Sequence, residues 1–445
     1  MSAIKTSSVS SLLKAYYPLF FVLLYVSTCL IVSVFGPIEY IDYNKKAVSL
    51  FVIGTLAFFA LGYCLAMAPP IAVSRKFNPV KIRTIRSVLF RVSFFLAFVA
   101  IGVIVLRSAA SGSLSLDIGQ SGQAYIAAYD GYERNTGNYS VDFLLSTFFA
   151  FPTYVATIWG LFYFGSMSRK QRILLVFMIA ATIVVFTISG GKQKQFGDYM
   201  IYFTTLIFIR SILRGSFSVA TLLKISVFGL LGVLLLLILL GMRYAAIEID
   251  LETINNNIHQ LTRLDVEHPI IRVLGDDMGF AASMFSSYIG QGFYGLSLSM
   301  EQDFSWTRFG GSSYSWSVIL NRFFGLPFMV ETSYPYLVGA NTGWAETKWH
   351  SVYAWLASDL TFAGTIGFNL ILGYLFGRLW KEIIICQNPF SLLLFCLLMV
   401  GAFYVPANNQ LMHSPGALGT LFLTLGLYFR YRASYNFQSL TRQIA

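Results

Sequence analysis

The stretch KWHSVYAWLASDLTFAGTIG, Lys348–Gly367, decides how the chain is read. A long polar segment gives way there to an apolar run. His350 stands at its mouth, Asp359 lies nine residues further in, and Gly364 and Gly367 follow. The surrounding composition gives this pattern its meaning. Of 445 residues, 56% are hydrophobic, 17% aromatic and 11% charged. Soluble proteins carry roughly 25% charged residues. Mean hydropathy is +0.66. These values predict an all-α polytopic integral membrane protein. The question is then why an ionisable histidine sits at a membrane surface with a carboxylate just inside it.

A hydrocarbon core about 30 Å thick takes about 20 apolar residues of helix. Ten segments meet that length, some narrowly: 16–36, 47–67, 88–106, 141–166, 173–189, 198–213, 225–242, 353–377, 389–405 and 415–430. The expected fold is a single membrane domain over 1–445, with about 10–12 transmembrane helices. The stretch 278–300 is apolar but dense in Gly and Ser. A span there would invert every later loop, so it is expected to be re-entrant or interfacial. The first apolar run follows Lys5 and Lys14 without a convincing cleavage site, and is expected to be a helix rather than a removed signal. There is no internal repeat and no low-complexity tract.

Lys and Arg in short loops set orientation. With the N-terminus inside, 19 of the 31 basic residues fall on inner segments. Lys45 and Lys46 break the bias, offset by Glu39 and Asp42. The same topology puts 107–140 outside as a first larger loop, and 243–350 outside as a long one. The long loop holds 11 acidic and 6 basic residues, whereas the remainder holds 9 and 25. The overall charge of +11 is thus an orientation signal. It does not point to nucleic acid, since no soluble basic domain exists to carry a patch. Cys29, Cys64, Cys386 and Cys396 all lie in apolar runs, so no external disulfide framework is expected.

All four histidines (His259, His268, His350, His413) fall in expected external segments. The chain has no HExxH, paired CxxC, Walker A, GxGxxG or GxSxG motif, so neither a metal nor a nucleotide cofactor is expected. His259 and His268 stand among acids, which suits solvated loop residues better than a metal site. On a straight helix starting near His350, Tyr353 shares its face. Asp359 lies half a turn round and about 13 Å along the axis. A direct His–Asp pair is excluded, and Asp359 must find its partner elsewhere. A carboxylate at such depth is costly unless paired or wetted.

Other features converge on the outer face. SGGKQKQFGD (189–198) places Lys192 and Lys194 outside, against the usual bias. GMRY (241–244) sets Arg243 at the outer end of a span, where a guanidinium fork suits a diphosphate or simply meets lipid headgroups. In 107–140, Tyr125, Tyr129 and Tyr132 precede Arg134 at roughly helical spacing. The long loop adds Arg263, Arg272, Trp306, Tyr314, Trp316, Tyr334, Tyr336, Trp344 and Trp349. Aromatic faces beside scattered cations suit carbohydrate on a lipid carrier.

The order His350, Asp359, Gly364, Gly367 resembles the C-terminal signature of Wzy-type O-antigen polymerases and the related O-antigen ligases. SGGKQ (189–193) resembles their Gly–Ser–basic turn, with Lys192 where the family more often has Arg. GQGFYGLSLSME (290–301), YPYLVGANTGW (334–344) and VPANNQ (405–410) look like stretches of oligosaccharide repeat-unit polymerases. The resemblance implies a GT-C-like membrane glycosyltransferase of the bacterial inner membrane, with cytoplasmic termini and a periplasmic active site. Donor and acceptor would be undecaprenyl-diphosphate-linked oligosaccharides. A separate chain-length regulator would be a partner, and no metal or cofactor would be needed. The implied roles are His350 as general base or diphosphate contact, and Lys192, Arg243, Arg263 and Arg272 as diphosphate ligands. Asp359 would hold a cation, with Arg134 and Tyr353 in support, and Tyr294, Trp344 and Trp349 would contact sugar. A ligase, a lipid-linked glycan flippase and a structural envelope protein remain the competing readings.

Overall fold

A computed structural model describes residues 8–68, 79–120, 122–125, 141–215, 218–344 and 348–432. The first half holds α1 (Ser8–Phe35), strand β1 (Ile38–Tyr40), α2 (Lys45–Met67), α3 (Pro79–Ala110), α4 (Val141–Phe148), α5 (Ala150–Phe162), α6 (Arg169–Thr182), α7 (Lys194–Leu213) and α8 (Val219–Ala245). A long connection follows, with α9 (Ile254–Asn257), β2 (Thr262–Leu264), α10 (Pro269–Leu274), α11 (Asp276–Met300), α12 (Tyr314–Phe324), α13 (Phe328–Glu331) and α14 (Tyr334–Thr342). The chain then forms α15 (Val352–Cys386), α16 (Pro389–Tyr404) and α17 (Pro415–Tyr431).

Among the described residues, seven helices are long and apolar enough to cross a membrane: α1, α2, α3, α6 with its π-helical extension, α7, α8 and α15. The chain is an all-α polytopic membrane protein. The expected span 141–166 is instead two helices that meet at Phe149. The spans expected at 389–405 and 415–430 form helices of 16 and 17 residues. Helix α16 is buried along most of its length, from Pro389 to Val400. Neighbouring helices, not lipid, solvate it, so the hydrocarbon thickness does not fix its length.

The principal seam joins α2 and α15, which run parallel. Phe51 meets Tyr353 and Phe362 edge-on, both at 5.6 Å between ring centroids. Further along, Gly54 faces Ile366 and Gly377 faces Tyr63 and Ala66. At the far end Lys381 Nζ donates to Ala66 O (3.2 Å) and Met67 O (3.1 Å). The backbones touch in the middle. A Cβ on Gly62 would lie 2.0 Å from Leu370 O, and one on Gly373 2.0 Å from Phe59 O. Gly373 and Gly377 are spaced four apart, the small-residue pattern that lets apolar helices approach without a hydrophobic driving force.

Contacts between helix ends sort the molecule into two faces. On one, Trp380 Nε1 donates to Lys14 O (3.2 Å), Trp159 Nε1 to Pro389 O (3.1 Å) and Asn388 Nδ2 to Tyr431 O (3.2 Å). Glu382 is buried there and accepts from Ser391 Oγ (2.7 Å) and Asn388 Nδ2 (3.1 Å). On the other face, Ser189 pairs with Ser115, and Val352 N donates to Val405 O (3.0 Å). The whole connection from α9 to α14 packs on this second face.

Helix α11 runs across that face. Its 25 residues would be about 37 Å long, enough to cross a bilayer. Its contacts are with helix ends of one side only. Phe280 meets Tyr244 at the end of α8, and Gly290 lies against Ser33 near the end of α1. Tyr294 Oη donates to Ile41 O (2.8 Å), and Ser297 Oγ accepts from Asn44 N (2.9 Å) just before α2. Glycines supply the clearance: a Cβ on Gly292 would fall 2.0 Å from Pro406 O, and one on Gly295 2.9 Å from His350 Nδ1. Antiparallel β1 and β2 pair Glu39 opposite Arg263 at its margin.

Replacing Gly62 or Gly373 with Ala should force the α2–α15 seam apart and cost about 1–3 kcal/mol. Gly102→Ala in α3, where nothing stands within 4 Å of the added methyl, should be neutral or mildly stabilising. Thermal unfolding of the three variants in one detergent checks the contrast.

Candidate functional site

Helix α15 is not continuous. Thr361 has φ 63° and ψ 168°, which divides it into Val352–Leu360 and a lower segment to Cys386. Thr361 Oγ1 accepts from Gly364 N (3.2 Å) and so caps the lower segment. Asp359 therefore sits beside a break. Its carboxylate is nearly buried and accepts from Ser312 N (2.7 Å), Ser312 Oγ (2.5 Å), Gly311 N (3.4 Å) and the Thr307 hydroxyl. The expectation that Asp359 holds a cation is corrected: its partners are hydroxyls and backbone amides of the long connection. Tyr334 N donates to Ser358 Oγ (3.0 Å) alongside. Within the same loop, Arg308 and Phe309 both adopt positive φ (52° and 65°), an arrangement that surrounding contacts must hold.

His350 is fully buried, packed against Gly295 of α11. In this conformation no acceptor hydroxyl reaches it, so it does not fit the general base expected from sequence. It fits a residue that positions the top of α15. Tyr353 is likewise core, against Phe51. Tyr294 and Trp344 are buried in one aromatic cluster with Tyr40 and His259, ring centroids 4.8–5.2 Å apart. They fasten α11 to the loop and present no face to a sugar. Arg263 is exposed opposite Glu39, and Arg272 forms an exposed ion pair with Glu267 (2.7 Å). Neither joins a diphosphate cradle. Arg134 lies outside the described residues.

Two groups remain near the surface. Arg243 lies over the Tyr125 ring at 3.3 Å and donates to Tyr288 Oη (2.9 Å). Tyr288 meets Trp349 edge-on at 4.7 Å. Burial raises the Tyr288 hydroxyl pKa, and the charge of Arg243 opposes that rise. Arg243 and Trp349 are half-buried and meet through Tyr288, and the next residue, His350, is buried.

The second group surrounds the start of α7. The SGGKQ turn leads into it with Gly191 at φ 62°, and Gln193 provides no side-chain cap. The first-turn amides are left to other acceptors. Lys192 is exposed. Lys194 is about half exposed and bonds Asp198 Oδ2 at 2.5 Å. Tyr404 is beside the same carboxylate, and Lys194 lies 5.9 Å from its ring. His413 completes the group, stacked on Tyr314 at 5.3 Å. Burial lowers its pKa below the usual histidine value, and the charge of Lys194 lowers it further.

The tautomer of His413 follows from its neighbour. Asn408 Oδ1 accepts from Asn409 N (2.7 Å), which turns the amide nitrogen of Asn408 toward His413 Nδ1 (3.3 Å). Nδ1 is then the acceptor, and the network assigns the proton to Nε2. His413 is a neutral donor at neutral pH. Helix α7 packs between α8 and α16, and the Tyr404–His413 loop lies beside its start, where Lys194 meets the Tyr404 ring.

Nothing in the local sequence around His413 sets it apart from the other external histidines. Among the described residues no group of three or more His, Cys, Asp or Glu side chains is arranged to hold a metal. No family model, curated protein or solved structure matches the chain.

Asp359→Ala should release the 307–312 loop at a cost of about 3 kcal/mol, since it strands several donors of a buried carboxylate. Limited proteolysis should then cut between Phe304 and Ser313, while Asp359→Asn, which keeps an acceptor, should be cut more slowly.

Proposed function

We propose that the protein is a membrane glycosyltransferase that polymerises oligosaccharide repeat units carried on a polyprenyl diphosphate. The reading joins the resemblance to Wzy-type polymerases with one structural observation. An uncapped helix start, two lysines and a neutral histidine donor lie together on the face that bears the long loop. That is a donor set for an anion. In this reading the layout is GT-C-like, the face with the long loop is periplasmic, and both termini are cytoplasmic in a bacterial inner membrane.

The donor lipid's diphosphate would lie on the α7 amides, Lys192, Lys194 and His413 Nε2–H, with Arg243 reaching it from α8. The acceptor hydroxyl oxygen attacks the anomeric carbon, and the bond from that carbon to the diphosphate oxygen breaks. The electron pair leaves with the lipid diphosphate. The hydroxyl proton passes to Asp198, the carboxylate of this cluster. Trp349 and Tyr288 offer ring faces for sugar. Preformed cations and donors stabilise charge that develops on the leaving group.

The test uses purified protein in vesicles supplied with lipid-diphosphate-linked repeat units, without nucleotide and with a chelator. Glycan chains should lengthen. Lys192→Ala and His413→Gln should each lower kcat/KM by about 10²-fold, the usual cost of one positioned donor. No growth in vesicles would refute the reading, and transfer only to lipid A core would convert it to a ligase.

The pH dependence has a definite sign. The free site disfavours His413⁺, and a bound diphosphate favours it, so binding takes up protons. Affinity for a diphosphate esterified at both ends, which does not itself titrate near neutral pH, should rise as pH falls through the histidine range. The gain is about tenfold for each pKa unit that the anion restores. Titration calorimetry should show this slope in the parent protein and a flatter one in His413→Gln.

A further inference from the structure

Within the long loop the segment Phe304–Phe328 is built inside out. In α12, Ser315 and Ser317 are buried (4% and 3% exposed), whereas Phe323 and Phe324 are 72% and 69% exposed. Trp316 is exposed on the same helix, and Phe304, Trp306 and Phe309 are exposed just before it. A helix immersed in water shows the reverse arrangement. An exposed aromatic surface of this extent on a soluble face calls for a partner.

Three observations say which. The first is position. Ser313 Oγ donates to Met412 O (2.7 Å), just ahead of α17, and α12 packs on α17 itself. Phe422, Leu423 and Phe429 of α17 are exposed, so α12 continues a lipid-facing side at its outer margin. The second is charge. The long loop is acidic overall, yet 304–330 contains Arg308 and Arg322 and no Asp or Glu. Arginines among aromatics match anionic headgroups above an acyl layer. The third is residue type. Trp and Phe with a short amphipathic helix suit the boundary between headgroups and chains.

We propose that Phe304–Phe328 is an interfacial anchor whose aromatic side chains seat in the leaflet on the loop-bearing side. The proposal needs only a membrane-spanning protein and does not rest on glycosyl transfer. The anchor is tied to the site, because the same segment binds Asp359 through Thr307, Gly311 and Ser312 and stacks Tyr314 on His413. Bilayer contact would hold the loop at a fixed height over the helix ends.

The test uses the full-length protein in vesicles of phosphatidylethanolamine and phosphatidylglycerol. Tryptophan fluorescence is compared between the parent and the W306F/W316F double variant, both exposed sites where Phe is a mild change. The difference signal reports these two rings alone. The expected result is quenching of that signal by lipids brominated near the headgroup end of the chain, with little quenching by iodide added on the loop-bearing side. Strong iodide quenching would place the rings in water and overturn the proposal. Protection from both quenchers would also overturn it, since a second copy or another protein would then cover the patch. A second variant pair, F323S/F324S, should lose part of the bromolipid quenching of Trp316 while the buried-core fluorescence is unchanged.

Discussion

Two backbones meet where α15 crosses α2, and the remaining architecture is arranged around that meeting. Lipid chains are as apolar as leucine, so helices in a bilayer gain little from burying side chains against one another. What holds them is close contact. Gly62 and Gly373 each bring the opposing main-chain carbonyl to where a Cβ would lie 2.0 Å away. Phe59, Tyr63 and Phe376 pack beside this line, and Phe376 carries the contact on to Phe395 of α16. Lys381, bonded to the last carbonyls of α2, locks the lower end.

The upper end of the same seam positions the outer face. Had α15 stayed straight, its 35 residues would measure about 52 Å, well beyond a bilayer. The turn at Thr361 removes the excess by separating Val352–Leu360 from the lower helix. The 307–312 loop packs against Ser358 and Asp359 just before this turn, while Thr361 itself is exposed, and the loop's hold is Asp359. One carboxylate thereby fixes a loop some fifty residues away in sequence to the helix that the glycine seam immobilises. The strained pair Arg308–Phe309 lies inside that loop.

The spans were legible because hydrocarbon demands long apolar runs, and α1, α2, α3, α6, α7, α8 and α15 supply them. Helices α16 and α17 were legible as apolar but not in how much lipid they meet, which depends on neighbours. Asp359 stood out correctly as a carboxylate needing partners. Their identity was hidden, because GGSS at 310–313 offers backbone amides and hydroxyls rather than a charge that a scan would notice. His350 was conspicuous for its position, yet the signal for its burial lay in GQGFYG (290–295), whose glycines mark a face pressed by another chain segment. Tyr294 and Trp344 show the same limit: an aromatic residue in an outer loop reads alike whether it faces sugar or fills a core. His413 carries no local mark at all. Its character comes from burial first and then from Lys194, both of which the fold alone brings about, with Tyr314 stacked on its ring.

Under the proposed reading, charge decides whether such a cluster would favour the departure of a lipid diphosphate over its mere binding. With His413 neutral, Lys192, Lys194 and Asp198 sum to about one positive charge, and the start of α7 adds about half of another. A diphosphate joined to both sugar and lipid carries about two negative charges, so the cluster alone leaves it under-neutralised, and Arg243 on α8 is needed to approach balance. When the bond to the anomeric carbon breaks, the leaving group gains about one further negative charge. Each fixed cation and the His413 proton then interact more strongly with the product-like state than with the bound donor. Interactions that grow along the reaction lower the barrier, whereas those already complete in the bound donor only tighten binding. Under the proposed reading, a site that roughly balances the bound donor once Arg243 is counted, with a histidine that can still take up a proton as negative charge builds, would meet that condition.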